Sequence, residues 1–255
     1  MPRKKFSKEA FRRLTKSGLT EIFREPRLFF FTMIFPLLFL GLFGFMSLMM
    51  PPDASSGLTF FQFEFPGILV FSLMSVGILG TAIPIIEMRQ KGTLRLFQVT
   101  PLSTSTFILS SITIRLILSL GQIVLFLVLG GVFRYVSIST ILPVFLISLL
   151  GIIVMITLGF FLSGLFKHVE IASGLLSGLM APVLMISGVL LPLSIMPKVM
   201  RTVAEFIPFA YLADAIRQVM FHVREFFPIE VELLILAAFA VVCYGLARWS
   251  FHWGD

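Results

Sequence analysis

Only one cysteine, Cys243, occurs in the 255 residues, which excludes an intramolecular disulfide framework. Charge is scarce too: Asp, Glu, Lys and Arg make up 13% of the chain, against about a quarter in a soluble domain. His168, His222 and His252 lie far apart, with no Cys or carboxylate at metal-ligand spacing, so no zinc pattern can be read. Neither a G-x-x-x-x-G-K-[ST] run nor H-E-x-x-H is present, which removes a P-loop and a metalloprotease helix. No Ser or Thr has a neighbouring His to activate it, and no catalytic residue, bound cofactor or metal is expected. What fills the chain instead is hydrocarbon: 58% of residues are hydrophobic, and 30 Phe stand against three Tyr and two Trp. A water-soluble fold of this length could not enclose that much apolar surface in one core, so lipid is the solvent for most of the chain.

Crossing about 30 Å of hydrocarbon takes roughly 20 helical residues. Uncharged runs of that order give six spans, at about 28–50, 65–86, 107–133, 138–165, 171–191 and 229–248. The third contains Arg115, and the sixth is weakened at its start by Glu230 and Glu232. The expected fold is all-α and integral to the membrane, one domain over 1–255 with no appended soluble domain. Six spans put both termini on one side. Fourteen cations and six acids fall on that side, leaving +8, whereas five cations and seven acids leave −2 on the other. The Lys/Arg bias makes the termini cytoplasmic, in the cell membrane. The formal net charge of +7 therefore reads as topology, and no nucleic-acid partner is expected.

Residues 1–27 hold nine of the twenty basic residues. Their apolar run is too long for a signal-peptide core, and no A-x-A-like site follows. Phe6, Ala10, Phe11, Leu14, Leu19, Ile22 and Phe23 alternate with basic positions, as in an amphipathic helix lying in the inner interface. The plainer alternative is a basic tail that only enforces topology. Between the second and third spans, Thr93 is placed to cap a short helix with Leu94 and Phe97 on its apolar face, and Thr100-Pro101 ends it. An apolar tip with a basic collar suits docking in a partner's groove; a plain topogenic loop is the alternative.

At this loop the chain resembles the membrane permeases of type 2 ATP-binding-cassette exporters. Glu87, Arg89, Gly92, Thr93 and Leu94, followed by Thr100, Pro101, Leu102 and Ser103, are similar to the family's E-x-[RK]-x-x-G-T-L and T-P-L-S patterns. Ser187-Gly188 with Pro192-Leu193-Ser194 and Pro197 is similar to its S-G-x-x-x-P-L-S-x-x-P turn, and Pro208 with Asp214 and Arg217 to its L-P-x-x-x-x-x-D-x-x-R segment. The resemblance covers nearly the whole chain. It implies that the inner loop, with Phe97, is a coupling helix seated on a separate ATPase, two copies of which use ATP and Mg. It also implies a connecting helix at 1–27, re-entrant helices between the fifth and sixth spans, and a homodimer of permeases in contact with membrane lipids.

Two features bear on mechanism. Ser111, Arg115, Ser119 and Gln122 form one polar stripe; Arg115 is either a functional membrane cation or one that snorkels to the headgroups. Gly174 and Gly178 make a small-x-x-x-small face, which belongs at a subunit interface, along the pathway or in packing within the chain. Phe71, Met74, Met180, Leu184 and Met185 offer apolar, polarizable wall for an amphipathic or lipid-like cargo, a drug or a lipid. The alternatives are a polysaccharide or glycolipid exporter permease and a non-transporting membrane scaffold or assembly factor.

Overall fold

The computed structural model describes residues 7–24, 26, 30–49, 51–52, 57–92 and 104–250, and every regular element among them is helical. Helix α1 (Lys8–Arg24) is capped by Ser7, whose Oγ accepts from the Ala10 amide at 3.3 Å. A π-helical turn (Phe30–Ile34) leads into α2 (Phe35–Ser47), the shortest apolar helix of the bundle. Next, α3 (Phe60–Met74), a π-helical turn (Ser75–Leu79) and α4 (Gly80–Gln90) run as one continuous 31-residue helix. Helices α5 (Thr104–Val132), α6 (Ile138–Leu165) and α7 (Val169–Ile186) follow. Two short helices, α8 (Lys198–Ala204) and α9 (Pro208–Phe221), precede α10 (Ile229–Ser250).

Among the described residues, five helices are long and apolar enough to cross a membrane: Phe60–Gln90, Thr106–Val132, Ile138–Leu165, Val169–Ile186 and Ile229–Ser250. Two boundaries differ from the expected 65–86 and 171–191. The helix containing α3 starts earlier, at a capping box in which Thr59 Oγ1 accepts from the Gln62 amide and the Gln62 side chain accepts from the Thr59 amide. Glu64, which reads as a boundary charge, is fully buried inside that helix. At the other boundary, α7 stops at Ile186 although the sequence stays apolar to Leu191, because Gly188 takes a left-handed φ of 74° and turns the chain.

Helix α6 is the hub, packed against α3, α4, α5, α9 and α10. Small residues let its neighbours approach. A Cβ on Gly151 would stand 2.4 Å from Leu212 of α9, and one on Gly159 would stand 2.6 Å from the Gly77 carbonyl. The core around it is continuous, running through Phe65, Ile68, Leu73, Phe126, Ile152, Met155 and Leu212. Helix α1 lies along α5 rather than apart from the bundle. The Ser7 amide donates to Thr106 Oγ1, and a Cβ on Gly18 would meet Ile114 at 2.4 Å. Beyond that contact, Leu19 and Ile22 join Val76, Ile114 and Leu118 in a small apolar cluster.

Candidate functional site

Four features of α9 converge on one point. Pro208 sits in the first turn of the helix, where its missing N–H costs nothing. Asp214 and Arg217, three residues apart, share a face. Both are buried, and His222, at φ 58°, ends the helix in a left-handed cap. That end turns the following loop back over the Asp214–Arg217 face.

Arg217 uses all three guanidinium nitrogens on backbone carbonyls. Its Nε donates to Phe63 of α3 at 3.2 Å, and its two terminal nitrogens donate to Gly188 at 3.0 Å and Val189 at 2.7 Å. The guanidinium also lies over the Phe63 ring, 3.7 Å from its centroid. Glu225 stands 3.9 Å away. The close approach is built in by Gly67, where a Cβ would be 2.2 Å from the Val189 carbonyl oxygen. One arginine thus ties α3, the turn after α7, and α9. The turn and the D-x-x-R segment, read as separate motifs, are two halves of one contact.

Carboxylates surround the clasp. Asp214 accepts from the Glu225 and Phe226 amides at 3.0 and 3.1 Å, which folds the loop after α9 onto the helix. Gln218 Nε2 donates to Asp214, to the Phe227 carbonyl at 2.9 Å and to Glu232 at 3.0 Å. Glu225 Oε1 in turn accepts from the Leu193 amide. Glu64 is sealed from solvent, and its two oxygens have no hydrogen-bond partner among the described residues. Burial lowers the Arg217 pKa from its ordinary value, while Glu225, Glu64, Asp214 and Glu232 oppose that shift and hold the charge. Among these groups only the Asp214–Arg217 spacing was visible as a motif. Glu64, Gln218, Glu225 and Glu232 were missed, and the available signal was four acids in or beside apolar runs, with Arg217 and Arg224 as the nearby cations.

The opposite end of the molecule frames the inner loop. Counting 1.5 Å per residue, Gln90 is roughly 40 Å along the helix from Phe63. Glu87 pairs with Lys91 at 2.5 Å, Arg89 donates to the Ser163 carbonyl of α6 at 2.9 Å, and the Gln90 side chain accepts from the Val169 amide at 3.0 Å, at the start of α7. Gly92 takes φ 71°. Of the expected coupling residues, Thr93, Leu94, Phe97, Thr100 and Pro101 lie outside the described residues.

Arg115 is 7% exposed. Its Nε donates to the Gly80 carbonyl at 2.9 Å and another nitrogen donates to the Ser111 carbonyl at 2.8 Å. The first bond has a cause in the sequence. In a helix the Gly80 carbonyl would accept from residue 84, which is Pro84 and has no N–H. Arg115 supplies the missing donor across the interface between α5 and α4.

The proposed pathway residues do not share one surface. Met74, Met180 and Leu184 are buried in the protomer core, and Phe71 is half-buried against Phe35 and Phe39 of α2. Gly174 and Gly178 face outward with nothing within 4 Å of an added Cβ, alongside exposed Leu175 and Met185. Among the described residues, no packing partner covers the small-residue face.

A bundle with five helices able to cross a membrane, locked at one end by a sealed charge cluster, defines a multi-pass membrane protein. Residues 9–221 match the family model described as ABC-2 type transporter. The chain is also 32% identical, over 92% of its own length and 86% of the other's, to a protein of Cyanophora paradoxa named "Putative transport permease ycf38". The chain belongs to the ABC-2 type transporter family. That membership makes it a membrane transporter subunit and implies an ABC ATPase as the partner that hydrolyses ATP.

Proposed function

We propose that this chain is the permease half of an ATP-driven exporter, working as a homodimer with two copies of a separate ATPase. Both termini and the 93–103 loop lie in the cytoplasm, and the cargo is an amphipathic drug or lipid. The observation that carries this reading is the framing of the inner loop. Its entry helix α4 is bonded to α6 through Arg89 and to α7 through Gln90, and its exit is α5, which Arg115 bonds back to α4. A push on the loop by ATPase subunits closing around ATP and Mg would move these helices together, so ATP acts as a ligand that favours one of two membrane states. Residues 30–47 form the first of the six spans. Helices α8 and α9 are too short to cross and turn back within the outer leaflet, where Arg217 locks α9 to α3 and the turn after α7. The exposed small-residue face of α7 supports its assignment to the dimer interface, beside the cargo route. Cargo chemistry follows from the apolar outer surfaces of α2 and α7, which include Leu38, Leu42, Leu175 and Met185.

Co-purification with an ABC ATPase lacking membrane spans tests the reading. Complex formation and stimulated ATP hydrolysis are expected for the native chain. Both should fall at least severalfold for Phe97→Ala and for replacement of residues 93–103 by Gly-Ser. Indifference of both measurements to both changes contradicts the proposal.

A further inference from the structure

Helix α1 divides cleanly into two faces. Phe11, Leu14, Gly18 and Ile22 turn toward α5, and Lys8, Arg12, Arg13, Lys16 and Arg24 turn away from it and are exposed. Glu9 neutralises Arg13 by an i,i+4 pair at 2.6 Å, which leaves Lys8, Arg12, Lys16 and Arg24 as the main sources of positive field. Two shallow troughs run along the helix, one on the border between the two faces and one on the exposed side, and share Lys16 and Thr20. One is lined by Phe11, Arg12, Thr15 and Leu19 as well, and the other by Arg13, Ser17, Glu21 and Arg24. The first is almost wholly apolar beside two cations, and the second is lined by polar and charged residues.

We infer that this face binds an anionic phospholipid, with the phosphate between Arg12 and Lys16 and the first part of an acyl chain along Phe11 and Leu19. Charge complementarity selects a phosphate-bearing ligand, and the apolar lining selects one with a hydrocarbon tail. The position of the helix favours lipid over a soluble protein. Leu19 and Ile22 pack on Val76, Ile114 and Leu118, which belong to spanning helices, so the C-terminal half of α1 lies at the depth of the bundle rather than below it. The inference needs only that the protein is embedded in a membrane, and it stands apart from the ATPase and cargo assignments.

Native mass spectrometry of the full, delipidated chain, titrated with phosphatidylglycerol or with phosphatidylcholine of the same acyl chains, tests it. Preferential phosphatidylglycerol adducts are expected. Arg12→Gln with Lys16→Gln should weaken them roughly thirty-fold, on the usual strength of two cations near an anionic surface, and leave phosphatidylcholine adducts unchanged. Lys198→Gln, a comparably exposed cation at the other end, should change neither. Circular dichroism of each variant checks that the helix content is intact. Equal binding of the two lipids, or undiminished phosphatidylglycerol binding by the double variant, overturns the inference. So does a double variant that keeps its lipid adducts but loses an ATPase partner, which would assign the face to protein.

Discussion

Arg217 donates to the Val189 carbonyl at 2.7 Å and joins α9 to the turn that ends α7. An apolar side chain could not stand in for Arg217, because its guanidinium donates to the carbonyls of Phe63, Gly188 and Val189 together. Arg217→Gln removes a buried charge that four carboxylates face, and the cost expected is about 3–5 kcal/mol. Arg217→Lys keeps the charge but not the fork of donors, so it should recover only part of that. Thermal unfolding in a mild detergent measures both, and proteolysis should find the 188–193 turn newly open.

Glu64 tests whether the clasp is electrostatic. Glu64→Gln alone removes a carboxylate without hydrogen-bond partners, so its cost should be well below that of Arg217→Gln. The two residues interact through charge, so the double variant should be more stable than the two single costs predict, by about 1–3 kcal/mol. Strict additivity in the same unfolding assay would mean that Glu64 and Arg217 do not sense each other.

Five of the six expected spans were legible in the sequence, because an uncharged run of spanning length has few alternatives in a chain with so little charge. Their ends were not. Glu64 looked like the edge of hydrocarbon because Arg217, which makes its burial tolerable, is more than a hundred residues away and can be paired with it only in the fold. The end of α7 was missed for a different reason: a left-handed turn at Gly188 lies inside an apolar run, where hydropathy carries no signal. Likewise, Ser187-Gly188 and Asp214-x-x-Arg217 could be recognised singly. That one grips the other depends on Gly67, a third segment whose small size has no meaning until α3 is placed beside the turn.

Arg115 should be worth less once its target is satisfied. Arg115→Met leaves the Gly80 carbonyl without a donor, at an expected cost of about 1–3 kcal/mol. With Pro84→Ala the helix supplies its own N–H, and the penalty of Arg115→Met should shrink by about 1 kcal/mol. A double-mutant cycle on unfolding temperature reads this coupling.

The glycines separate by what lies opposite them. Gly67→Ala drives a Cβ into the Val189 carbonyl and should cost about 1–3 kcal/mol. By contrast, Gly174→Leu with Gly178→Leu faces open space within the protomer and should leave its unfolding temperature nearly unchanged. If α7 forms the dimer interface, the same double variant should run as a monomer in light scattering of the detergent complex. Retention of the dimer would move the interface elsewhere.

The central claim is that ATP hydrolysis by a partner moves cargo through this chain. Inverted vesicles containing the chain and its ATPase, supplied with ATP and Mg and a fluorescent amphipathic drug or lipid, test it most directly. The account predicts ATP-dependent uptake that is lost when residues 93–103 are replaced by Gly-Ser, with the spans still folded. Uptake that persists after that replacement, or that never depends on ATP, would contradict it.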